Sequence, residues 1–206
     1  MLTWLSQFVS PRACLLCAQP GDWFCVECQR SLREVKRSLN RSLDLRVVHG
    51  EPAMVQAVAL WKDGGVRALT KPLAKLVADQ LRGRTGVLVP IPSSRKAMAK
   101  RGWWPVGELA REAGHIARVE VALDGLKVVK SLRDQRGLSD AERMANVREA
   151  FTACAVPDAI LLDDVVTSGA TMQAAQAAIL AAGGGCQSAL ALAIARRESR
   201  FAQPHC

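Results

Sequence analysis

The chain has 206 residues, half of them hydrophobic and 23% charged, a mix that excludes general disorder and suits one globular domain with a small appendage. With 28 Lys and Arg against 19 Asp and Glu, the net charge of +9 points to a polyanionic partner, nucleic acid or a small polyphosphate, without choosing between them. No apolar run reaches the ~18 residues of a membrane-spanning helix, and Met1 to Ser10 lacks the basic start and long apolar stretch of a secretory signal, so the expectation is a cytoplasmic protein with no membrane insertion.

Four of the seven cysteines come first, as Cys14-Leu-Leu-Cys17 and Cys25-Val-Glu-Cys28, with seven residues between the pairs. Thiolates two residues apart turn onto one ion, and two such knuckles complete a tetrahedral shell, the geometry of structural Zn2+. Two disulfides or incidental thiols are the competing readings, and disulfides are disfavoured where nothing points to export. A closed four-cysteine shell leaves no open position, so metal catalysis is not expected there. Pro20-Gly21 is the turn between the knuckles, and Trp23 and Phe24 read as a miniature core for the module. Cys154, Cys186 and Cys206 have no ligand spacing and read as free thiols.

Gln29 to Arg46 carries Arg30, Arg33, Lys36, Arg37 and Arg41 and reads as a basic linker helix, which makes residues 1–45 the cysteine module with its linker and 46–206 the main domain. Ala53 to Trp61 reads as a strand, and Val66, Leu69, Leu73, Leu76, Val77 and Leu81 recur at helical spacing. Gly86 to Ile91 is an apolar run of the kind buried on both faces of a parallel sheet. From Gln80 to Gly107 there is no acid, while Arg82, Arg84, Arg95, Lys96, Lys100 and Arg101 are basic, and Trp103 and Trp104 follow. That window reads as a surface for single-stranded DNA if the tryptophans stack on bases, or as the packed start of a helix if they do not. Val106, Leu109, Ala110, Ala113 and Ile116 continue as a helix. Leu126 to Leu132 and Ala159 to Leu162 are strands, Arg133 to Gly137 an exposed loop, and Ser139-Asp-Ala-Glu142 a capping box. A helix over Thr171 to Ala182, a Gly183-Gly184-Gly185 stop and a strand over Ser188 to Ala195 complete the pattern. Strands alternating with helices predict an α/β fold with a mainly parallel sheet flanked by helices.

The segment richest in chemistry is Asp163-Asp164-Val-Val-Thr167-Ser168-Gly169-Ala170-Thr171, an apolar strand that ends in two acids and turns into a helix. Adjacent carboxylates beyond a strand accept hydrogen bonds from a vicinal diol. The loop offers hydroxyls and main-chain N–H groups at a helix N-terminus, which suit a phosphate dianion. Diol and phosphate at that separation describe a ribose 5-phosphate. A plain helix cap is the competing reading, but it needs one acid and not two. Neither a Gly-Lys-Ser/Thr nor a G-x-G-x-x-G loop is present.

This segment resembles the phosphoribosyl-pyrophosphate motif of type I phosphoribosyltransferases. With the cysteine pairs, Val89-Pro90-Ile91-Pro92, Arg101-Gly102, Gln135-x-x-Leu138, Glu142-Arg143, Asn146-Val147 and Ala150-Phe151 in order, the chain is similar over nearly its whole length to the ComF family. The resemblance implies a type I phosphoribosyltransferase fold with an N-terminal zinc module and an association with competence and DNA uptake. It implies that Asp163 and Asp164 bind the ribose hydroxyls, that Thr167, Ser168, Gly169, Ala170 and Thr171 bind the 5-phosphate, and that Ser93, Ser94, Arg95 and Lys96 lie near the diphosphate. Arg133 to Leu138 would be a flap, and Mg2+ would arrive with the diphosphate. The implied partners are phosphoribosyl pyrophosphate, single-stranded DNA and proteins of the uptake machinery. The implied reaction is transfer of phosphoribose with release of pyrophosphate, the alternative being a non-enzymatic single-stranded DNA-binding protein. Where the family reads Arg-Gly-Phe-Asn-Gln this chain has Arg101-Gly102-Trp103-Trp104-Pro105, and where it often reads Lys-Tyr-x-Gly the chain has Trp61-Lys62-Asp63-Gly64.

Overall fold

The computed structural model describes residues 13–31, 35–49, 52–129 and 150–195. Six strands form one sheet: β1 (Val35–Asn40), β2 (Leu43–His49), β3 (Val87–Pro90), β4 (Glu120–Val121), β7 (Ala159–Val166) and β8 (Cys186–Ile194), in the order β1-β2-β8-β7-β3-β4. Only the β1–β2 hairpin is antiparallel, and the four other pairings are parallel. A separate two-stranded ribbon joins β5 (Leu126–Val128) to β6 (Phe151–Ala153). The helices are α1 (Val26–Ser31), α2 (Pro52–Lys62), α3 (Thr70–Leu81), α4 (Arg95–Arg101), α5 (Pro105–Ala117) and α6 (Ala170–Ala181).

The central strands are apolar on both faces because helices cover both. Leu88, Leu162 and Leu190 belong to a core with α2, α3 and α5, and their neighbours Val89, Leu161 and Ala189 to a second core with α6 and the ribbon. Successive side chains of a strand point to opposite faces, so a continuous apolar run serves both layers. The expected α/β architecture with a mainly parallel sheet is what the chain forms.

Two expected elements differ. Ala53 to Trp61, read as a strand, is helix α2: its buried residues Met54, Ala57, Val58 and Trp61 fall at helical spacing, and Pro52 stands at its first position. Residues 35–46, read as part of a basic helix from Gln29, belong instead to the β1–β2 hairpin, whose Leu43, Leu45 and Val47 are buried in the second core. The alternation of Leu43, Leu45 and Val47 is a period of two, which the flanking basic residues obscure. Residues 130–149, including the capping box at Ser139 and the loop at Arg133 to Gly137, lie outside the described residues, as do His205 and Cys206.

The turn of the hairpin is tied to α6 by one buried amide. Gln176 of α6 donates to the carbonyls of Cys186 (2.8 Å) and Ser42 (3.1 Å) and accepts from Asn40 Nδ2 (2.8 Å). Gln176→Ala leaves these groups without partners, at a cost of about 1–3 kcal/mol. Thermal unfolding should register this as a drop of roughly 2–4 °C per kcal/mol, and an unchanged melting temperature would show that these bonds add nothing to the β2–β8 pairing that holds the hairpin.

Candidate functional site

The site begins where one strand stops. β3 pairs with β7 as far as Pro90 opposite Leu162, and Ile91 N–H adds one more bond to Leu162 O (2.8 Å). β7 continues to Val166 along β8. From Asp163 onward its other edge is therefore bare of β3. The connection from β3 leads through α5 on one face of the sheet, whereas that from β7 leads through α6 on the other. Between two strands whose connections depart in this way a crevice opens, the usual ligand position in open α/β sheets.

A groove of about 540 Å³ occupies this position. Its lining includes Asp163, Asp164, Thr171, Ser93, Ser94 and Lys96 from the sequence reading, together with Lys62, Arg101, Ile91, Pro92, Ala97, Val106, Val128, Ala150 and Phe151. Arg95 is exposed outside the lining, and residues 167–169, the turn between β7 and α6, and Ala170 at the start of α6 do not contribute to the groove wall. Gly169 in that turn has φ of 82°, and a Cβ there would lie 2.6 Å from Leu39 Cδ2 of β1, so both backbone and space call for glycine. Gly169 at the N-cap has no side chain to cap α6; Ser168 Oγ accepts from Ala170 N–H (3.4 Å), which leaves the N–H groups of Thr171 and Met172 for other acceptors.

The two acids lie within β7 and not beyond it. By strand alternation Asp163 faces the α6 side with Leu161, and Asp164 the α2 side with Leu162. Both reach the groove because the missing β3 neighbour opens that edge to both faces. Asp163 Oδ1 accepts from Asp164 N–H (2.8 Å), and Asp164 Oδ1 from Val165 N–H (2.7 Å). Asp164 is 2% exposed and its Oδ2 meets the Lys62 ammonium. Asp163 has no ion-pair partner among the described residues. Burial, and then the charge of Asp164, push its carboxyl up to about 7, against the pull of Asp164 N–H and Lys62.

The opposite wall is built around α4. Ser94 caps this helix by accepting from Ala97 N–H (3.2 Å). Arg101, at its end, donates through Nε (3.0 Å) and Nη2 (2.8 Å) to Asp63 Oδ1, just past the end of α2. Sequence reasoning gave Lys62 and Arg101 no place beside the acid pair: Arg101 was read only in the Arg-Gly pair and the basic window, and only the fold brings it and the end of α2 to the acids.

Trp103 and Trp104 are packed. Trp103 is 9% exposed, makes an edge contact with Trp61 (5.6 Å, 86°) and carries the Arg67 guanidinium over its ring at 4.8 Å. Trp104 covers Gly107, where a Cβ would fall 2.3 Å from its ring. Neither ring is arranged as a stacking platform. Arg82 and Arg101 of the basic window pair with Asp79 and Asp63, while Arg95, Lys96 and Lys100 are exposed on α4.

Near the N-terminus, the Sγ atoms of Cys14, Cys17, Cys25 and Cys28 lie within 4.8 Å of one another, with Cys17 and Cys25 at 3.7 Å. A zinc ion with bonds of about 2.3 Å needs its sulfurs about 3.8 Å apart, so the cluster fits it. Main-chain N–H groups of Leu16 and Cys25 point to Cys14 Sγ (3.5 and 3.4 Å), and that of Cys28 to Cys25 Sγ (3.4 Å). Burial raises the Cys14 thiol, but these donors outweigh it and bring it down to about 6. Burial and the neighbouring thiols push Cys28 the other way. A cation relieves that mutual repulsion. Phe24, expected in a miniature core, is instead 2% exposed within the core of α2, α3 and α5, with Leu15, Leu16 and Trp23 packed beside it. Cys186 is buried, its thiol raised to about 11 by burial, and Cys154 is exposed.

No protein-family model and no curated protein matches the chain. Among solved structures, adenine phosphoribosyltransferase from Thermoanaerobacter pseudethanolicus aligns with 82% of this chain and 98% of its own, at 10% identity and a TM-score of 0.36. At that identity and score the alignment bears on no residue of the groove. Among the described residues no helix is long and apolar enough to cross a membrane.

Two outcomes follow from this geometry. Metal analysis of the purified chain should find about one zinc per molecule, lost in Cys25→Ser, and a metal-free wild type would remove the assignment. For Asp163, the folded chain binds a proton between pH 3.8 and about 7 that the unfolded chain lacks, so stability falls as pH rises through that window and is level above it. Asp163→Asn should therefore raise the melting temperature more at pH 8 than at pH 5, and an equal effect at both values would show that the carboxyl titrates normally.

Proposed function

We propose that the groove is a phosphoribosyl-pyrophosphate site and that the protein is a phosphoribosyltransferase-like member of the ComF family acting in the cytoplasm. One observation carries this reading. β3 ends opposite Leu162, so Asp163 and Asp164 line the crevice between β3 and β7, with the start of α6 on one side and Ser93, Ser94, Lys96 and Arg101 on the other. The acid-pair end of the groove takes the sugar, Thr171 and the first-turn N–H groups of α6 take the 5-phosphate, and the basic wall takes the diphosphate. In this assignment residues 167–170 serve through their main chain.

The chemistry is displacement at the anomeric carbon. The bond from that carbon to the diphosphate breaks and its electron pair leaves with the diphosphate; a bond to the acceptor forms, and the acceptor's proton passes to solvent. The protein positions the two partners and neutralises the leaving group with Lys96 and Arg101. Mg2+ bound with the diphosphate would add charge neutralisation there. Zn2+ in the cysteine cluster serves structure, since four thiolates close its shell. An association with DNA uptake and its proteins rests on the family resemblance. Single-stranded DNA on Arg95, Lys96 and Lys100 is the second reading, favoured by their common exposure on α4.

Calorimetric titration with phosphoribosyl pyrophosphate and Mg2+ tests the site. The wild type should bind, and Asp163→Asn with Asp164→Asn should lose binding while keeping a cooperative melt. Equal affinity in wild type and double variant would reject the assignment. A parallel anisotropy titration with single-stranded DNA across a salt series should show affinity falling with ionic strength if the second reading holds.

A further inference from the structure

We propose that the two aspartates have different tasks: Asp163 meets the sugar, whereas Asp164 is a positioning residue that aims Lys62 at the diphosphate. This deepens the reading of the groove as a phosphoribosyl-pyrophosphate site and rests on it, and it departs from the equal roles that the family resemblance gives the pair.

The hydrogen-bonding capacity of Asp164 is already committed. Its Oδ1 accepts from Val165 N–H (2.7 Å), and its Oδ2 is buried with no donor among the described residues except the Lys62 ammonium. At 2% exposure it has little surface to offer a hydroxyl. Asp163 points to the other face of β7, takes one main-chain N–H on Oδ1 and pairs with no cation among the described residues. It retains acceptor capacity for a diol.

Lys62 is the reverse case. Its side chain is 26% exposed and lines the groove. An ammonium has three donors, and Asp164 occupies one direction. Lys62 is also the last residue of α2, and the next residue, Asp63, holds Arg101 by two donors. The end of α2 thus fixes two cations of the groove, each by a carboxylate behind it. The residues carried over from the resemblance do not include Lys62.

Calorimetry with Mg2+ and two separate probes, inorganic pyrophosphate and ribose 5-phosphate, tests the division on the full chain. The wild type should bind both; if it binds neither, the groove reading itself fails. Lys62→Met should weaken pyrophosphate by about tenfold, the loss expected for one charge-assisted hydrogen bond, and leave ribose 5-phosphate within about twofold. Lys62→Arg should restore most of the pyrophosphate affinity. Asp164→Asn should act on pyrophosphate like Lys62→Met, and Asp163→Asn on ribose 5-phosphate alone. Should Lys62→Met unfold by stranding Asp164, the double variant Lys62→Met with Asp164→Asn removes both charges and should show the same selective loss. Unchanged pyrophosphate affinity in the Lys62 variants, or equal loss of ribose 5-phosphate in the two aspartate variants, overturns the proposal while leaving the groove reading intact.

Discussion

The groove depends on a mismatch in length between neighbouring strands. β3 has four residues and β7 eight, and their shared ladder ends at Leu162, one residue before the acid pair. Had β3 run two residues further, Asp163 and Asp164 would lie inside a closed sheet, one in each apolar layer, at a solvation cost that neither layer offsets. The early stop keeps one strand edge open, and the diverging connections keep both layers apart at that point. The sequence makes β3 stop there: Pro90-Ile91-Pro92 removes alternate N–H donors, and Ser94 then starts a helix.

Charge in the groove is organised in pairs that cross between elements. Lys62 meets Asp164, and Arg101 meets Asp63, so α2 is fastened to β7 on one side and to α4 on the other. These contacts differ in weight. In the pair of Arg101 with Asp63 the carboxylate is exposed and the contact contributes little to stability, whereas Lys62 compensates a carboxylate that is otherwise buried. Cationic residues that serve an anionic ligand are thereby held in place before one arrives, which lowers the ordering cost on binding.

Most of the fold was legible in the sequence because its strands and helices carry distinct periods. The runs at Val87–Pro90 and Ala159–Leu162 read as buried strands, and the helix around Leu73 to Leu81 showed in its spacing. α2 was missed because Ala, Val, Leu and Trp fill nearly every position, and a helix apolar on most sides cannot be told from a buried strand by periodicity alone. The hairpin was missed because its exposed face is basic. Asp163, Asp164, Ser93, Ser94, Lys96 and Thr171 were found by motif and do line one groove; Lys62 and Arg101 were not, because their places there are set by packing between segments far apart in sequence. The tryptophans show the converse limit: adjacency to basic residues suggests a nucleic-acid surface, while contact with Trp61 and Arg67 decides that Trp103 is interior.

The docking of Phe24 among α2, α3 and α5 has a bearing on how the molecule is assembled. A cysteine knuckle tethered by a free linker is a detachable accessory that a domain can gain or shed without harm. Here the same aromatic ring closes both the knuckle and the sheet's upper layer. Excising the first thirty residues would therefore leave an apolar wound on the helices against which Phe24 packs.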